Sequence, residues 1–344
     1  MKVSVVIPTF NDEGTIAETL ESVFAQRFDG SFEVIVVNDG STDGTRAVLA
    51  KFGDRIRVIE QPNRGVAAAR NAGIRAAAGE YIALLDGDDT WTDTMLQKTV
   101  PVLDKNPLCA AVFGDGMLVG AAGRIISPHY VEPGFDHSPT LDEMLTRAWP
   151  ILIGTIVIRR DTLLAIEGFP EEYGVRHYGG EDTFTFVRVR ERGEIIFVPE
   201  TLMRYRRPDF AQRFAKRLAA LERDAKSRGG VVDPETYFEG HQIFVRLIRQ
   251  QFGARGGLLV EDSIDRKARE LVTLGMMAMH KGNRGFARRC YLSAIRIRPA
   301  ETKTYFRLLW AALPESVARA LSPMLSSRIR QSVSGPPALE QGPQ

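Results

Sequence analysis

Three carboxylates within four positions follow an uninterrupted apolar run at residues 81–85. They are Asp86, Asp88 and Asp89, and Gly87 separates the first two so that a ligand can approach the backbone. Clustered carboxylates repel one another unless a cation or hydrogen-bond donors compensate them. Mg²⁺ and Mn²⁺ prefer carboxylate oxygens, and Mg²⁺ sites often combine one or two carboxylates with substrate phosphates. The pattern predicts a divalent metal site at Asp86 and Asp88, with an acidic turn that caps the next helix as the alternative.

Two other polar segments also follow apolar segments. Residues 8–13, Pro-Thr-Phe-Asn-Asp-Glu, follow the apolar residues 3–7, and residues 38–44 follow the apolar residues 32–37. Helix capping by Thr9 or by Asp43 explains each polar segment separately, but not why all of them follow strands. Acceptor groups at one edge of a sheet suit a nucleotide base and ribose, with Asp39 accepting from a base N–H.

The elements that must position these residues alternate between strand and helix. Apolar runs predict strands at residues 3–7, 32–37 and 81–85, and a later run predicts one buried strand over residues 149–160. Charged and apolar residues interchange at 55–60, which predicts a strand nearer the edge of the sheet. Between the first four strands, amphipathic spacing predicts helices near 15–26 and 65–78. Such alternation predicts an α/β fold with a doubly wound, mostly parallel sheet and flanking helices. Ligands of such sheets bind beyond the carboxyl ends of the strands. A G-x-G-x-x-G fingerprint is absent, which disfavours a dinucleotide-binding fold.

Four motifs lie along the first 90 residues: Pro8–Asn11, Asn38–Asp43, Asn63–Gly73 and Leu85–Asp89. In their order and spacing they resemble family 2 glycosyltransferases. The members of that family are inverting enzymes with the nucleotide-sugar-binding fold called GT-A.

The resemblance implies a nucleotide-sugar site and a divalent metal ion, Mn²⁺ or Mg²⁺, bound by Asp88. Thr9, Glu13 and Asp39 would line the base pocket, and Arg70 would help to hold the nucleotide. The residues expected to bind the nucleotide sugar are Pro8, Thr9, Phe10, Glu13, Asp39, Arg70, Asp86 and Gly87.

The second half of the predicted catalytic domain resembles the same family at two further segments. Gly-Phe-Pro-Glu at residues 168–171 precedes the pair Glu181-Asp182, and in the family the Asp of this pair is the catalytic base. The resemblance therefore implies that Asp182 is the general base, and we expect Trp149, Gly180 and Glu181 on the acceptor side.

The segment after residue 201 resembles the end of the family's catalytic domain, where relatives often carry a histidine after a Tyr-Arg pair. Here Arg207 and Pro208 follow Tyr205-Arg206, so we expect no histidine ligand to the metal from this segment. Arg206 either contacts the diphosphate or belongs to a plain basic surface.

We predict three regions in the chain. Residues 1–210 form the GT-A domain, with a nucleotide-sugar half at 1–100 and an acceptor half at 101–210; residues 211–327 are helical, and residues 328–344 are a disordered tail. Residues 305–325 form either a core helix pair or an interfacial membrane contact. One helix pair resembles a tetratricopeptide repeat in the spacing of Leu271, Leu274, Gly275, Ala278, Ala287, Tyr291, Ala294 and Pro299.

Composition restricts the class of protein and its partners. The formal charge of +2 gives no reason to expect nucleic acid as a partner, and the two cysteines form no disulfide framework. The apolar run at residues 3–7 is too short to be the hydrophobic part of a signal sequence, and no apolar run is long enough to span a bilayer. We therefore predict a cytoplasmic enzyme, with peripheral contact at the inner face of the plasma membrane and a protein partner on the C-terminal helices as further interactions.

These predictions combine into one function. The protein would transfer a sugar, most simply from a UDP-sugar, to a hydroxyl of a glycan or lipid-linked acceptor, with Asp182 as general base, as in polysaccharide biosynthesis. The alternatives are a sugar-1-phosphate nucleotidyltransferase and a catalytically inactive glycosyltransferase-like scaffold. The first loop, residues 8–13, lacks the Gly, Arg and Lys residues typical of the nucleotidyltransferases.

Overall fold

A computed structural model describes residues 1–120, 123–132, 134–174, 180–207 and 233–313, together with residues 316 and 318. The chain divides into two compact units, Met1–Pro208 and Asp209–Gln344. The tail at 328–344, predicted from sequence to be disordered, lies outside the described residues.

The first unit is built on a nine-stranded sheet. Its strands are β1 Val3–Thr9, β2 Phe32–Asn38, β3 Arg57–Glu60, β4 Tyr81–Leu84, β5 Thr90–Trp91, β6 Cys109–Val119, β7 Ile125–Ser127, β8 Val157–Arg159 and β9 Glu194–Arg206. The strand order is β3-β2-β1-β4-β8-β6-β9-β5, with β7 paired to β6. This order places β1 between β2 and β4 and leaves the charged strand β3 at an edge, as its sequence predicts.

Strand direction divides the sheet into two parts. Strands β3, β2, β1 and β4 are all parallel, which confirms the predicted doubly wound arrangement for the first half. Beyond β4 the sheet is mixed, because β8 is antiparallel to both β4 and β6, while β9 is parallel to β6. The first four strands therefore end at one edge, where the polar segments after β1, β2 and β4 meet.

Seven helices of the first unit connect or flank these strands in the described residues. They are α1 Ile16–Phe24, α2 Thr45–Ala50, α3 Val66–Ala76, α4 Met95–Lys105, α5 Leu141–Met144, α6 Arg160–Ala165 and α7 Glu181–Arg192. Side chains of α1, α2 and α4 share one buried cluster with Val3, Val5 and Ile7 of β1. Helix α3 packs on β1 and β2 from the other face, where Gly73 lies so close to Val6 that a larger side chain would overlap it.

The sequence predicts one buried strand over residues 149–160, and the structure corrects its length. Only Val157–Arg159 forms strand β8, and a 3-10 turn at Ile153–Thr155 precedes it. Pro150 and Gly154 explain the difference, because proline donates no ladder hydrogen bond and glycine weakens a strand. Gly154 also accepts a hydrogen bond from Trp91 Nε1 through its carbonyl oxygen, at 2.6 Å.

The second unit is helical in its described part. Its helices are α8 Pro234–Tyr237, α9 Glu239–Phe252, α10 Gly257–His280, α11 Arg284–Ile297 and α12 Thr302–Ala312. Helices α10 and α11 pack against each other, and Gly275 lies directly against the buried ring of Tyr291. The repeat-like positions that this part of the structure buries are Leu271, Leu274, Ala278, Ala287, Tyr291 and Ala294. In the described ranges, no helix has the length and apolar character needed to cross a membrane.

Candidate active site

The turn after β4 carries the acidic cluster, and hydrogen bonds from two other elements hold it. The carbonyl oxygen of Gly87 accepts from the hydroxyls of Thr15 and Thr19, each at 3.0 Å, which ties the turn to α1. The buried carboxylate of Asp89 accepts from the backbone N–H of Arg206 at 2.7 Å, which ties it to the end of β9. Asp89 is therefore a structural residue of the turn.

A fourth carboxylate, Asp12, approaches this turn from the loop after β1. A methyl group built on Gly87 would lie 2.6 Å from Asp12 Oδ2 and 3.1 Å from Thr9 Oγ1. Thr9 Oγ1 donates to the same Asp12 oxygen at 2.8 Å. Only a glycine fits at position 87 without moving these groups. Sequence reasoning gave Asp12 no role, although it lies in the first recognised loop.

Burial and neighbouring negative charge raise the pKa of two carboxylates of the turn, Asp88 and Asp89. Burial, followed by the charges of Asp86 and Asp12, raises the pKa of Asp88 to about 6, although the nearby Arg206 guanidinium partly opposes the shift. Burial and the charge of Asp88 likewise hold the pKa of Asp89 well above its ordinary value. A bound cation would relieve this repulsion, so the acidic turn has the electrostatics of a cation site.

Asp39 lies at the end of β2 and holds the loop that leads to α3. Its carboxylate accepts from Gln61 Nε2 at 2.7 Å and from the backbone N–H groups of Arg64 at 2.9 Å and Gly65 at 2.8 Å. Its own backbone N–H donates to the carbonyl oxygen of Thr9 at 2.9 Å, so the ends of β1 and β2 are joined. The predicted contact with a nucleotide base would add a partner to a carboxylate that already orders this loop.

The remaining predicted base-pocket residues surround the loop after β1. Pro8 is buried inside the strand, whereas the ring of Phe10 is exposed. Glu13 Oε2 accepts from the backbone N–H of Gly44 at 2.7 Å, and the Glu13 N–H donates to Asp43 at 3.2 Å. Glu13 therefore links the loop after β1 to the start of α2.

Arg70 connects the acidic turn to the amino end of α7. Its guanidinium donates to Asp86 Oδ1 at 2.8 Å and to Glu181 Oε1 at 3.2 Å, and its side chain is only 4% exposed. Burial disfavours the charged guanidinium, but the charges of Asp86, Glu181 and Asp182 raise the pKa of Arg70 above its ordinary value. This cation therefore brings the predicted donor and acceptor residues together.

Helix α7 begins with the predicted catalytic pair. Gly180 precedes it with a φ of 129°, a conformation that favours glycine, and the two acidic residues occupy the first turn, where the helix dipole stabilises negative charge. Burial and the charge of Asp182 raise the pKa of Glu181 to about 7, against the opposing effect of Arg70. Asp182 Oδ1 accepts from the Thr183 N–H at 2.6 Å, which orients its carboxylate.

Hydrogen bonds from the Asn71 side chain, which the sequence analysis did not predict, hold residues 168–171 against α3. The Asn71 side chain accepts from the Phe169 N–H at 2.8 Å and donates to the Phe169 carbonyl at 2.8 Å and to Glu171 at 3.0 Å. The Phe169 ring in turn lies 5.3 Å from the Arg70 guanidinium carbon. The sequence signal was present, because Asn71 and Phe169 both fall inside recognised motifs.

Arg206 and Trp149 differ in how directly they join the site. Arg206 lies close enough to Asp88 to affect its pKa, and its guanidinium pairs with Glu18 at 2.7 Å. Trp149 instead packs in an aromatic cluster, with ring centroids 5.6 Å from Phe135 and 5.2 Å from His137. The place of Trp149 on the acceptor side remains a prediction.

Across the described ranges, no three His, Cys, Asp or Glu side chains converge as a ready-made metal site. Asp88, with its neighbours Asp86 and Asp12, offers carboxylate oxygens at a glycine where a ligand can approach closely. This donor set fits a hard divalent ion that completes its coordination with phosphate oxygens and water.

Comparisons with known proteins place this site in context. Residues 4–164 match the sequence profile of "Glycosyl transferase family 2". The chain is 34% identical over 201 residues to "Putative glycosyltransferase EpsE" of Bacillus subtilis. The matched region covers 56% of this chain and 68% of EpsE. It is also 31% identical over 210 residues to Rv1520 of Mycobacterium tuberculosis. That match spans 59% of this chain and 58% of Rv1520. The crystal structure of S. aureus TarS 1–349 in complex with UDP-GlcNAc matches 90% of this chain and 87% of TarS 1–349, with a TM-score of 0.58 and 19% identity.

Proposed function

The chain belongs to glycosyl transferase family 2, and we propose that it is a metal-dependent, inverting enzyme that uses a UDP-sugar to glycosylate a glycan or lipid-linked hydroxyl. Family membership makes the protein a glycosyltransferase and disfavours the nucleotidyltransferase alternative. The inactive-scaffold alternative predicts no turnover with any nucleotide sugar, so an activity assay distinguishes it from the proposal. The observation that carries the proposal is the Arg70 bridge, because it joins Asp86 of the predicted donor site to Glu181 beside the predicted base.

The choice of donor is supported from two sides. The structurally similar TarS 1–349 has been crystallised with UDP-GlcNAc, and the polar segments after β1, β2 and β4 here meet at one edge of the sheet. In our proposal Thr9, Glu13 and Asp39 surround the base, while Arg70 and Asp86 lie nearer the ribose and diphosphate.

Asp182 performs the proton transfer in this proposal. The Thr183 N–H fixes one carboxylate oxygen, so the other oxygen can accept the proton of the acceptor hydroxyl. That hydroxyl attacks the anomeric carbon on the face opposite the leaving diphosphate, which inverts the configuration. Glu181 remains paired with Arg70 and supports the amino end of α7.

Asp88 would hold the metal ion, with Asp86 and Asp12 adding to the negative potential around it. A Mn²⁺ or Mg²⁺ ion held there would neutralise charge that develops on the leaving diphosphate. Arg206 is a second cation near this turn, besides Arg70, and we propose that it moves from Glu18 to the diphosphate when the donor binds.

A panel of nucleotide sugars tests the proposal. The purified protein is incubated with each donor and Mn²⁺, and release of the nucleoside diphosphate is measured together with the shift in melting temperature. We expect a UDP-sugar to be hydrolysed slowly and to stabilise the protein. Hydrolysis of a GDP-sugar or CMP-sugar alone would contradict the donor assignment. The cytoplasmic location of the protein is a separate prediction that this assay does not test.

A further inference from the structure

Helix α12 exposes three large side chains, Tyr305, Phe306 and Leu309, although a helix on a folded domain normally turns its apolar side chains towards the core. Phe306 is 64% exposed, Leu309 63% and Tyr305 40%, whereas Thr304 and Ala311 on the opposite side are buried. Residues three and four apart lie on the same helix face, so Phe306 and Leu309 form a continuous apolar stripe. Large apolar side chains that adjoin one another on a surface mark an interaction site. We refer to Tyr305, Phe306 and Leu309 as the apolar stripe.

Polar and amphipathic side chains border this stripe. Lys303 is exposed one turn before Phe306, and the partly exposed Trp310 follows Leu309. Tyr305 and Trp310 combine an apolar ring with one polar group, a composition favoured at membrane–water interfaces. An aromatic stripe beside a lysine is typical of a helix that lies in the plane of a bilayer surface.

The surrounding charge points to an anionic partner. Between residues 281 and 313 the chain has eight Lys and Arg residues but a single acidic residue, Glu301. Arg298 is neutralised by Asp265, and Arg284 donates to the Trp310 carbonyl at 2.7 Å, whereas Arg288 and Arg296 are exposed on α11. A second copy of this chain would bring the same excess of positive charge, which disfavours self-association through α11 and α12.

We propose that the apolar stripe of α12, with the basic residues of α11 and α12, binds the surface of a membrane that contains anionic lipids. Phe306 and Leu309 insert among the acyl chains, and the exposed Lys303, Arg288 and Arg296 pair with lipid phosphates. Each basic residue near an anionic surface adds about 1 kcal/mol of attraction, so the interaction depends on both anionic lipid and ionic strength. This inference is independent of the proposed function, because binding to lipid requires neither donor nor turnover.

Co-sedimentation of the full chain with vesicles tests the proposal. The vesicles are pure phosphatidylcholine or phosphatidylcholine with about one third phosphatidylglycerol, a mixture that carries the required negative charge. We expect binding to the anionic vesicles alone, and release at high salt. The Phe306→Ser/Leu309→Ser variant should partition about tenfold more weakly or worse, because it removes most of the inserted apolar area. A Lys303→Glu variant should also bind more weakly.

A matched control replaces equally exposed apolar residues elsewhere. Leu108 is 80% exposed and Leu258 58% exposed, so Leu108→Ser/Leu258→Ser removes a similar apolar area and should bind like the parent. Circular dichroism of each variant verifies that the fold is kept. Failure of the parent to bind anionic vesicles, equal binding to neutral vesicles, or parent-like binding of the stripe variant would each overturn the proposal.

Fluorescence gives a second readout that requires no variant of the stripe. The protein has three tryptophans, and Trp91 and Trp149 are buried in the first unit. Brominated phosphatidylcholine in the anionic vesicles should therefore quench Trp310, and a Trp310→Phe variant should lose that quenching. Binding without any quenching of Trp310 would show that another surface contacts the lipid and would overturn the proposal.

Discussion

Replacing Arg70 with methionine tests whether one buried cation joins the two halves of the site. The change keeps much of the side-chain volume but leaves Asp86 and Glu181 without the guanidinium that contacts both, at 2.8 and 3.2 Å. Breaking a buried ion pair from one side costs about 3–5 kcal/mol, because the remaining charge stays buried without compensation. We expect the free energy of unfolding of the first unit to fall by that order.

The cost of Arg70→Met should depend on pH. Burial and Asp182 already raise the pKa of Glu181 to about 7, so at pH 5 Glu181 is mostly neutral and needs a cation less. At pH 8 Glu181 is ionised, and its charge has lost its partner. The destabilisation should therefore be larger at pH 8 than at pH 5.

Urea unfolding measures this effect if the fluorescence signal comes from the first unit. A Trp310→Phe background leaves Trp91 and Trp149, both buried in that unit, as the only tryptophans. Arg75→Met is the matched control, because Arg75 lies on the same helix and pairs with Glu171 at 3.3 Å from an exposed position. Exposed pairs contribute about 1 kcal/mol or less. Equal losses in the two variants, or no dependence on pH, would refute the bridge.

Three other predictions follow from the site. Chelation should abolish turnover and Mn²⁺ should restore it, and Asp88→Ala should bind UDP far more weakly in calorimetry; full turnover in excess EDTA would exclude a metal role. Because the folded protein retains the Glu181 proton between its ordinary pKa of 4.5 and about 7, the stability that Glu181 contributes should fall by about 3 kcal/mol as pH rises through that window, and Glu181→Gln should reduce the slope of the curve measured by urea unfolding. Asp39→Ala should free the backbone N–H groups of Arg64 and Gly65, so hydrogen exchange there should accelerate and UDP affinity should drop; unchanged protection would contradict this role for Asp39.

The sequence predicts the first half of the fold well because local and global signals agree there. Val3–Ile7 and Phe32–Val37 are apolar runs between turn residues, and both form buried parallel strands. The prediction is wrong in extent at residues 149–160, where apolar residues pack against the sheet without joining its ladder. Composition identifies burial in that segment, but backbone pairing depends on Pro150, on Gly154 and on strands distant in sequence.

For the site as well, the sequence predicts some features and not others. Motif spacing identifies the acidic turn and the pair Glu181-Asp182, but it does not reveal which groups contact across the fold. Arg70 meets Glu181 over 111 positions of sequence, and Asn71 braces residues 98 and 100 positions away. Such contacts depend on how α3 packs against elements distant in sequence. A local sequence pattern does not show which distant residue a side chain will contact.

Replacing Asp182 with asparagine tests the central claim most directly. Asparagine keeps the size of the side chain and can still accept from the Thr183 N–H, but it cannot take the proton of the acceptor hydroxyl. Asp161→Asn, in the exposed first turn of α6, is the matched control. Donor affinity by calorimetry should stay within a few-fold of the parent in both variants, because the donor residues are intact.

Turnover decides the outcome, measured as transfer to an acceptor or as hydrolysis of the donor by water. We expect Asp182→Asn to lose about 10²–10⁴-fold in rate, the usual contribution of a positioned general base, and Asp161→Asn to lose nothing. If Asp182→Asn instead turns over within a few-fold of the parent, another group takes the proton and the assignment of Asp182 is wrong.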